Sequence, residues 1–367
     1  MLGTLTASVG ATFDDALQAR EAFKLSALAS VAQGLTVSGG IIVGVVLHRP
    51  IAWAVGAQFC GAWVLLLLTC RFASLNIGVP LARWRWSRSM AGELLRLAFG
   101  VAVAAQFGAW YGRADLLVVR RLQSETALGQ YSIAYRALDV VMTGVMALHM
   151  ALLPMLTRAQ SAGPEALAPR VATVIRFGSL ALIPFGLAVS FCAPVILQVF
   201  DPSYAPAAAP LAIIIWVCPV MLIGAVLHWV LYLHDRPWAV AGCMATGLVV
   251  NAEVGYLLCR SSGIAGAAAA RVLAEASLVL PAAVLVRRWL KLPWLHLLGR
   301  PVLMGCVMAA VWCAWPTGLW WLWLQLALSG YVLSGLVLKP LEPREWALLK
   351  SFRRRGQGEG DVEATDD

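Results

Sequence analysis

The feature that most constrains this chain is a succession of apolar runs, each long enough to cross a lipid bilayer. A helix needs about 20 apolar residues to span the hydrocarbon core. Ten stretches of that kind follow one another, at roughly 25–48, 51–71, 95–116, 130–155, 174–200, 207–233, 237–259, 263–286, 301–316 and 318–338. Of 367 residues, 60% are apolar and 13% charged, so a water-soluble fold would leave much of this surface facing solvent. Backbone inside lipid must satisfy its own hydrogen bonds, and runs of this length do so as helices. The expectation is an all-α polytopic membrane protein with about ten transmembrane helices. Pro316-Thr317-Gly318 is read as a tight turn between the last two.

The cations then set orientation. With both termini in the cytoplasm, 21 of the 28 Lys and Arg fall on inside segments and five (Arg49, Arg113, Arg120, Arg121, Arg260) outside, while Arg136 and Arg271 lie within spans. The net charge of +9 is dispersed between apolar runs rather than gathered on one face, which argues against a nucleic-acid partner. The first 23 residues hold Asp14, Asp15, Arg20 and Glu21 and lack a signal-peptide pattern; their opening reads as the tail of a preceding helix. Trp84, Trp86 and their neighbouring arginines make 81–94 a basic interfacial linker. The expected division is 1–80, with two spans; the linker; 95–340, with about eight spans; and 341–367, a cytoplasmic tail that is partly disordered.

Chemistry is sought among the charges inside the spans, because each costs about 2.5–3.5 kcal/mol at membrane depth unless it faces a cavity or a partner. Arg113 and Asp115 stand at the outer end of the third span. Arg136 and Asp139, three apart, and Arg271 and Glu275, four apart, are spaced to pair on one helical face. Glu253, beside Asn251, has no local partner. The candidate cavity cations are Arg113, Arg136 and Arg271, with Asp115, Asp139, Glu253 and Glu275 as coupling sites or polar partners. The same pairs also read as structural ion pairs. The eight cysteines show no CxxC and no nearby histidine at ligand spacing, so they read as small buried hydrophobes. No GxSxG, HExxH, Walker A or strand-linked GxGxxG pattern occurs, so neither a catalytic site nor a metal or cofactor is expected.

Several stretches, in order, resemble the polysaccharide-transporter branch of the MOP superfamily, the Wzx-type flippases of lipid-linked oligosaccharides. Ala19-Arg20-Glu21-Ala22-Phe23-Lys24 is similar to the start of that family's fifth helix. Leu97-Ala98-Phe99-Gly100, Asp115 and Leu128-Gly129-Gln130-Tyr131-Ser132-Ile133-Ala134-Tyr135-Arg136 resemble the opening of its C-terminal lobe. Leu153-Pro154-Met155-Leu156-Thr157-Arg158, the loop from Val199 to Ala208, and Gly263-Ile264-Ala265-Gly266-Ala267-Ala268 complete the series. The resemblance implies a MATE-like fold of two lobes, of which this chain would carry two helices of the first and all of the second. About four N-terminal helices would then be missing, which suggests a shortened gene model.

It also implies a function: moving undecaprenyl-diphosphate-linked oligosaccharide from the inner to the outer leaflet of a bacterial inner membrane by alternating access. The implied partners are that lipid-linked substrate, membrane lipids and other polysaccharide assembly proteins. The competing readings are a MATE-like small-molecule exporter, which would want an acidic cavity, and a truncated remnant or partner subunit. A membrane polymerase or ligase would need a long outer loop, and the longest expected here is about 15 residues, near 115–130.

Overall fold

A computed structural model describes residues 2–20, 22–77, 87–314 and 320–338. Among them there is helix and no strand. In chain order the helices are α1 (Leu2–Ala19), α2 (Phe23–Val46), α3 (Ile51–Ile77), α4 (Arg88–Leu122), α5 (Glu125–Ser161), α6 (Pro164–Phe200), α7 (Ala208–Ile214), α8 (Val217–Leu233), α9 (Pro237–Val286), α10 (Trp294–Cys313) and α11 (Trp320–Leu338), with a 3-10 turn over Pro202–Ala207. The chain divides into two compact units, Met1–Glu93 and Leu94–Asp367. Six residues of the expected interfacial linker (81–86), the turn at Pro316-Thr317-Gly318 and the 341–367 tail lie outside the described residues.

In the first unit α2 and α3 form an antiparallel pair whose contacts are made by small residues. A Cβ on Gly40 would stand 2.7 Å from Ala57, and Gly44 and Gly61 lie against Trp53 and Val37. Small residues permit this closeness, and in lipid close packing rather than water exclusion holds helices together. The Trp53 indole donates to the Gly40 carbonyl at 2.8 Å. Helix α1 lies on α3, where the Thr69 hydroxyl contacts the Gly10 carbonyl at 3.2 Å.

The second unit is built around α8. Twelve of its 17 residues are buried, as expected of a helix that is apolar on every side. The 207–233 stretch, read as one span, is in fact broken between α7 and α8. Pro219 has no N–H to offer the Ile215 carbonyl, which instead accepts from Cys218 at 3.1 Å in a tighter turn. Helix α5 bends by 41° between Ala147 and Leu152, just before Pro154, whose ring and missing N–H disfavour a straight helix there. Helix α10 begins at Trp294, seven residues before the expected start, because the Pro293 carbonyl already accepts from His296 and Leu297.

Among the described residues, seven helices are long and apolar enough to cross a membrane, or up to nine when each bent pair counts as one span. The 50-residue α9 counts once in that tally, yet it is a hairpin. Ser262 and Gly263 leave helical geometry, with Gly263 at φ 60° and ψ −144°. Beyond them the second leg returns along the first, so that Gly247 faces Leu278 and Gly255 faces Ala270. The two legs match the separate spans expected at 237–259 and 263–286, and each of the ten expected segments falls mainly on helix where its residues are described. Of the cysteines, Cys192, Cys218, Cys243 and Cys259 are buried as expected, but Cys60, Cys306 and Cys313 are exposed. In an apolar span an exposed thiol faces the same environment as its leucine neighbours, which costs a small hydrophobe little.

Between α6 and the 3-10 turn, Asp201 caps the turn through Oδ1, which accepts from the Ser203 N–H at 2.7 Å. That bond, helped by the Ser203 hydroxyl, holds the Asp201 carboxyl below its ordinary value. A carboxylate with a depressed folded value stabilises the turn above the unfolded pKa and loses that contribution as pH falls through the folded one. Amide exchange at Ser203 and Tyr204, relative to unstructured rates, is therefore expected to accelerate below about pH 4. Asp201→Ala should exchange rapidly at every pH; an unchanged acid step in that variant would exclude Asp201 as its source.

Candidate functional site

The charges of the second unit are sorted by helical geometry into a buried network and an exposed groove. On α4, Tyr111 and Asp115 are four apart and share the inner face, both buried. On α5, Tyr131 and Tyr135 repeat that spacing, and Ser124 starts the helix by accepting from the Ala127 N–H at 3.2 Å. Tyr131 donates to Asp115 Oδ2 at 2.8 Å, and Tyr135 donates to the Gly112 carbonyl at 2.8 Å.

The α9 hairpin contributes from both legs. Asn251 on the first leg and Arg271 on the second donate to the same acceptor, the Tyr111 carbonyl, each at 3.0 Å. The Arg271 guanidinium also lies over the Tyr111 ring, 3.9 Å from its centroid. The Tyr111 hydroxyl donates to Glu275 Oε2 at 2.5 Å, and Arg271 Nη2 stands 3.9 Å from that same oxygen. Arg271 and Glu275 are each 4% exposed and Asp115 and Asn251 not at all, so the network is closed to solvent. One guanidinium thus pairs with Glu275 and attracts Asp115 in a medium that screens charge poorly, while Asp115 Oδ1, Asn251 Oδ1 and Arg271 Nε have no hydrogen-bond partner among the described residues.

The expected Arg271–Glu275 pair is therefore present. Arg136 and Asp139 are a different case: both are exposed, and no ion pair joins them among the described residues. Spacing of three permits a pair but does not compel one where both groups are exposed. Arg113 is exposed although Asp115 is buried, because residues two apart point to nearly opposite sides of a helix. Glu253 is exposed beside buried Asn251 for the same reason.

Arg113 lies in an open groove of about 530 Å³. Trp110, Arg113, Leu117 and Arg121 recur at i, i+3, i+7 and i+11 along one face of α4, and Leu248, Ala252 and Tyr256 face them from the first leg of α9. Two arginines and two aromatic residues thus line a groove whose wall is mostly apolar and includes Ala109, Ala114 and Val118.

Sequence reasoning missed Tyr111, Tyr131 and Tyr135 in the network and Trp110, Arg121 and Tyr256 in the groove. A usable signal was present, since three polar or aromatic pairs recur at a spacing of four inside otherwise apolar helices (Tyr111/Asp115, Tyr131/Tyr135, Arg271/Glu275). Among the described residues, no cluster of His, Cys, Asp or Glu is arranged to hold a metal ion.

A family model described as "Polysaccharide biosynthesis protein" matches residues 4–205, more than half of the chain. The chain belongs to that family. Both the arginine face of α4 and the tyrosine pair of α5 lie in the matched region, whereas the α9 hairpin lies beyond it. Among solved structures, "Lipid II flippase MurJ, inward closed conformation" matches with a TM-score of 0.64 at 14% identity, covering 92% of this chain and 72% of that one. At that identity the likeness establishes the fold. This family member is thus a multi-pass membrane protein with a MurJ-like fold. No curated protein matches it.

Proposed function

We propose that this chain translocates a polyprenyl-diphosphate-linked oligosaccharide, of the undecaprenyl type, from the inner to the outer leaflet of a bacterial inner membrane by alternating access. The observation that carries this reading is the groove on α4, where exposed Arg113 and Arg121 are among the lining residues of a mostly apolar wall. A diphosphate is matched by guanidinium groups through paired hydrogen bonds, and the apolar wall suits the first units of a lipid chain. The polysaccharide biosynthesis family and the flippase fold support the same substrate class. Cationic drugs, the substrates of the rival exporter reading, would be repelled by the same arginines.

On this reading Arg113 binds the diphosphate, and Arg271, sealed inside, holds α4 and the hairpin together rather than touching substrate. Arg136, Asp139 and Glu253 are exposed and remain candidates for contact with the glycan or a coupling ion. Residues 1–80 and 95–340 are proposed as parts of the two lobes, with both termini cytoplasmic.

The test is a gene deletion in the host followed by assay of lipid-linked glycan and exported polysaccharide. Deletion should make the linked glycan accumulate, and the wild-type chain should relieve it. With two charge-assisted contacts removed, each worth about 1.5–3 kcal/mol, Arg113→Ala/Arg121→Ala should lower export at least tenfold while the protein still inserts. Absence of accumulation on deletion would refute the translocase reading; full export by the double variant would refute the groove as the binding place.

A further inference from the structure

The far end of the second unit holds a second cationic cleft that the proposed function does not use. It opens between the foot of α9 and the start of α10, has a volume of about 810 Å³, and is lined by Leu280, Val284, Arg287, Lys291, Pro293 and Trp294, among others. The second leg of α9 runs from the Gly263 turn to Val286, roughly 35 Å at 1.5 Å per residue, so this cleft lies about a bilayer thickness from the Gly263 turn.

We infer that this cleft binds an anionic phospholipid, with the phosphate against Arg287 and Lys291 and one acyl chain along Leu280 and Val284. Four observations converge on that occupant. Leu280, Val284 and Arg287 fall at i, i+4 and i+7, so a single helical face passes from apolar to cationic along its length. Leu280 and Val284 are 66% and 70% exposed in a membrane-spanning helix, which leaves their side chains open to an acyl chain.

Next, Arg287 and Lys291 are both exposed, and neither takes part in an ion pair among the described residues. The chain carries no acidic residue from 276 to 341, so local sequence supplies no internal counter-ion. Finally, α10 starts at Trp294 inside the cleft, so the positive end of a 20-residue helix dipole adds to the two cations there. A neutral lipid would satisfy the apolar stripe but leave the cations without a counter-charge. Basic pockets between membrane helices select acidic headgroups by that difference.

The competing occupant is the acidic end of the chain itself, since 356–367 carries Glu359, Asp361, Glu363, Asp366 and Asp367. The experiment is native mass spectrometry of the purified full chain in detergent, with dioleoyl phosphatidylglycerol or dioleoyl phosphatidylcholine as the added lipid. At about 1 kcal/mol for each of the two cations near the headgroup, wild type should retain phosphatidylglycerol roughly 30-fold better than phosphatidylcholine. Arg287→Ala/Lys291→Ala should lose that preference, and Arg20→Ala/Lys24→Ala, another exposed cation pair, should keep it. Equal retention of the two lipids by wild type, or a preference that survives Arg287→Ala/Lys291→Ala, would overturn the inference. So would a preference that appears only after residues 356–367 are removed, which would make the tail the occupant. Export of polysaccharide is not read in this test, so its result is independent of the translocase reading.

Discussion

Arg271→Ala is expected to lower the melting temperature of the purified protein by roughly 10 °C, the largest effect of any single side-chain truncation in the second unit. The guanidinium pairs with buried Glu275, attracts buried Asp115 through space, and shares the Tyr111 carbonyl with Asn251. Removing one partner of a buried pair leaves an uncompensated charge and costs about 3–5 kcal/mol. In a chain of this size each kcal/mol moves the midpoint by about 2–4 °C.

Two further variants separate charge from shape. Arg271→Lys keeps the charge but loses the planar group stacked over Tyr111, and should recover only part of the loss. Arg271→Met/Glu275→Leu removes both charges of the pair at similar volume and should melt above Arg271→Ala, because only Asp115 then remains as a buried carboxylate without its cation. The sixteen tryptophans supply the fluorescence signal. If Arg271→Ala melts within 2–3 °C of wild type, a shift worth only about 1 kcal/mol, the network does not hold the helices together.

The spans were legible because lipid imposes a length on every apolar run, and that rule is insensitive to tertiary detail. The Gly263 turn was legible for a related reason: a small-residue run after Arg260-Ser261-Ser262 interrupts 50 residues that would otherwise read as continuous helix. What the sequence did not disclose depends on which face of a helix is turned inward. Arg113 and Asp115 were grouped as one cluster, yet a 200° rotation puts one in an open groove and the other in a sealed network. The break between α7 and α8 was hidden because Ile213 to Val220 is apolar throughout, and only the missing N–H of Pro219 marks it. Tyrosines escaped notice because they carry no charge at neutral pH, although Tyr111 makes more of the network's contacts than any other residue named there.

Gly266→Ala should disable the site from a distance, because the α9 hairpin is what brings Asn251 and Arg271 to one carbonyl. A Cβ at residue 266 would fall on the backbone carbonyl of Leu258 in the opposite leg, and backbone cannot swing aside as a side chain can. The legs must separate, and the separation is levered along a hairpin whose further contacts, Gly255 with Ala270 and Gly247 with Leu278, are also made by glycine. Overpacking of this kind costs about 1–3 kcal/mol where neighbours can adjust, and a backbone contact belongs at or above the top of that range. The comparison is Gly242→Ala in the same first leg, where a Cβ would meet nothing within 4 Å. That change should stabilise by about 0.5–1 kcal/mol, since alanine restricts the unfolded chain more than glycine does. Gly263→Ala falls between them, because φ near 60° with ψ near −144° is strained for any residue with a Cβ, at about 1–3 kcal/mol. Melting temperatures should therefore rank Gly242→Ala above wild type, then Gly263→Ala, then Gly266→Ala. Polysaccharide export should be lost in Gly266→Ala even though it touches neither the groove arginines nor the buried charges. If Gly266→Ala melts and exports as Gly242→Ala does, the two legs are not packed as the hairpin requires, and the shared carbonyl of Tyr111 is not what aligns α4 with α9.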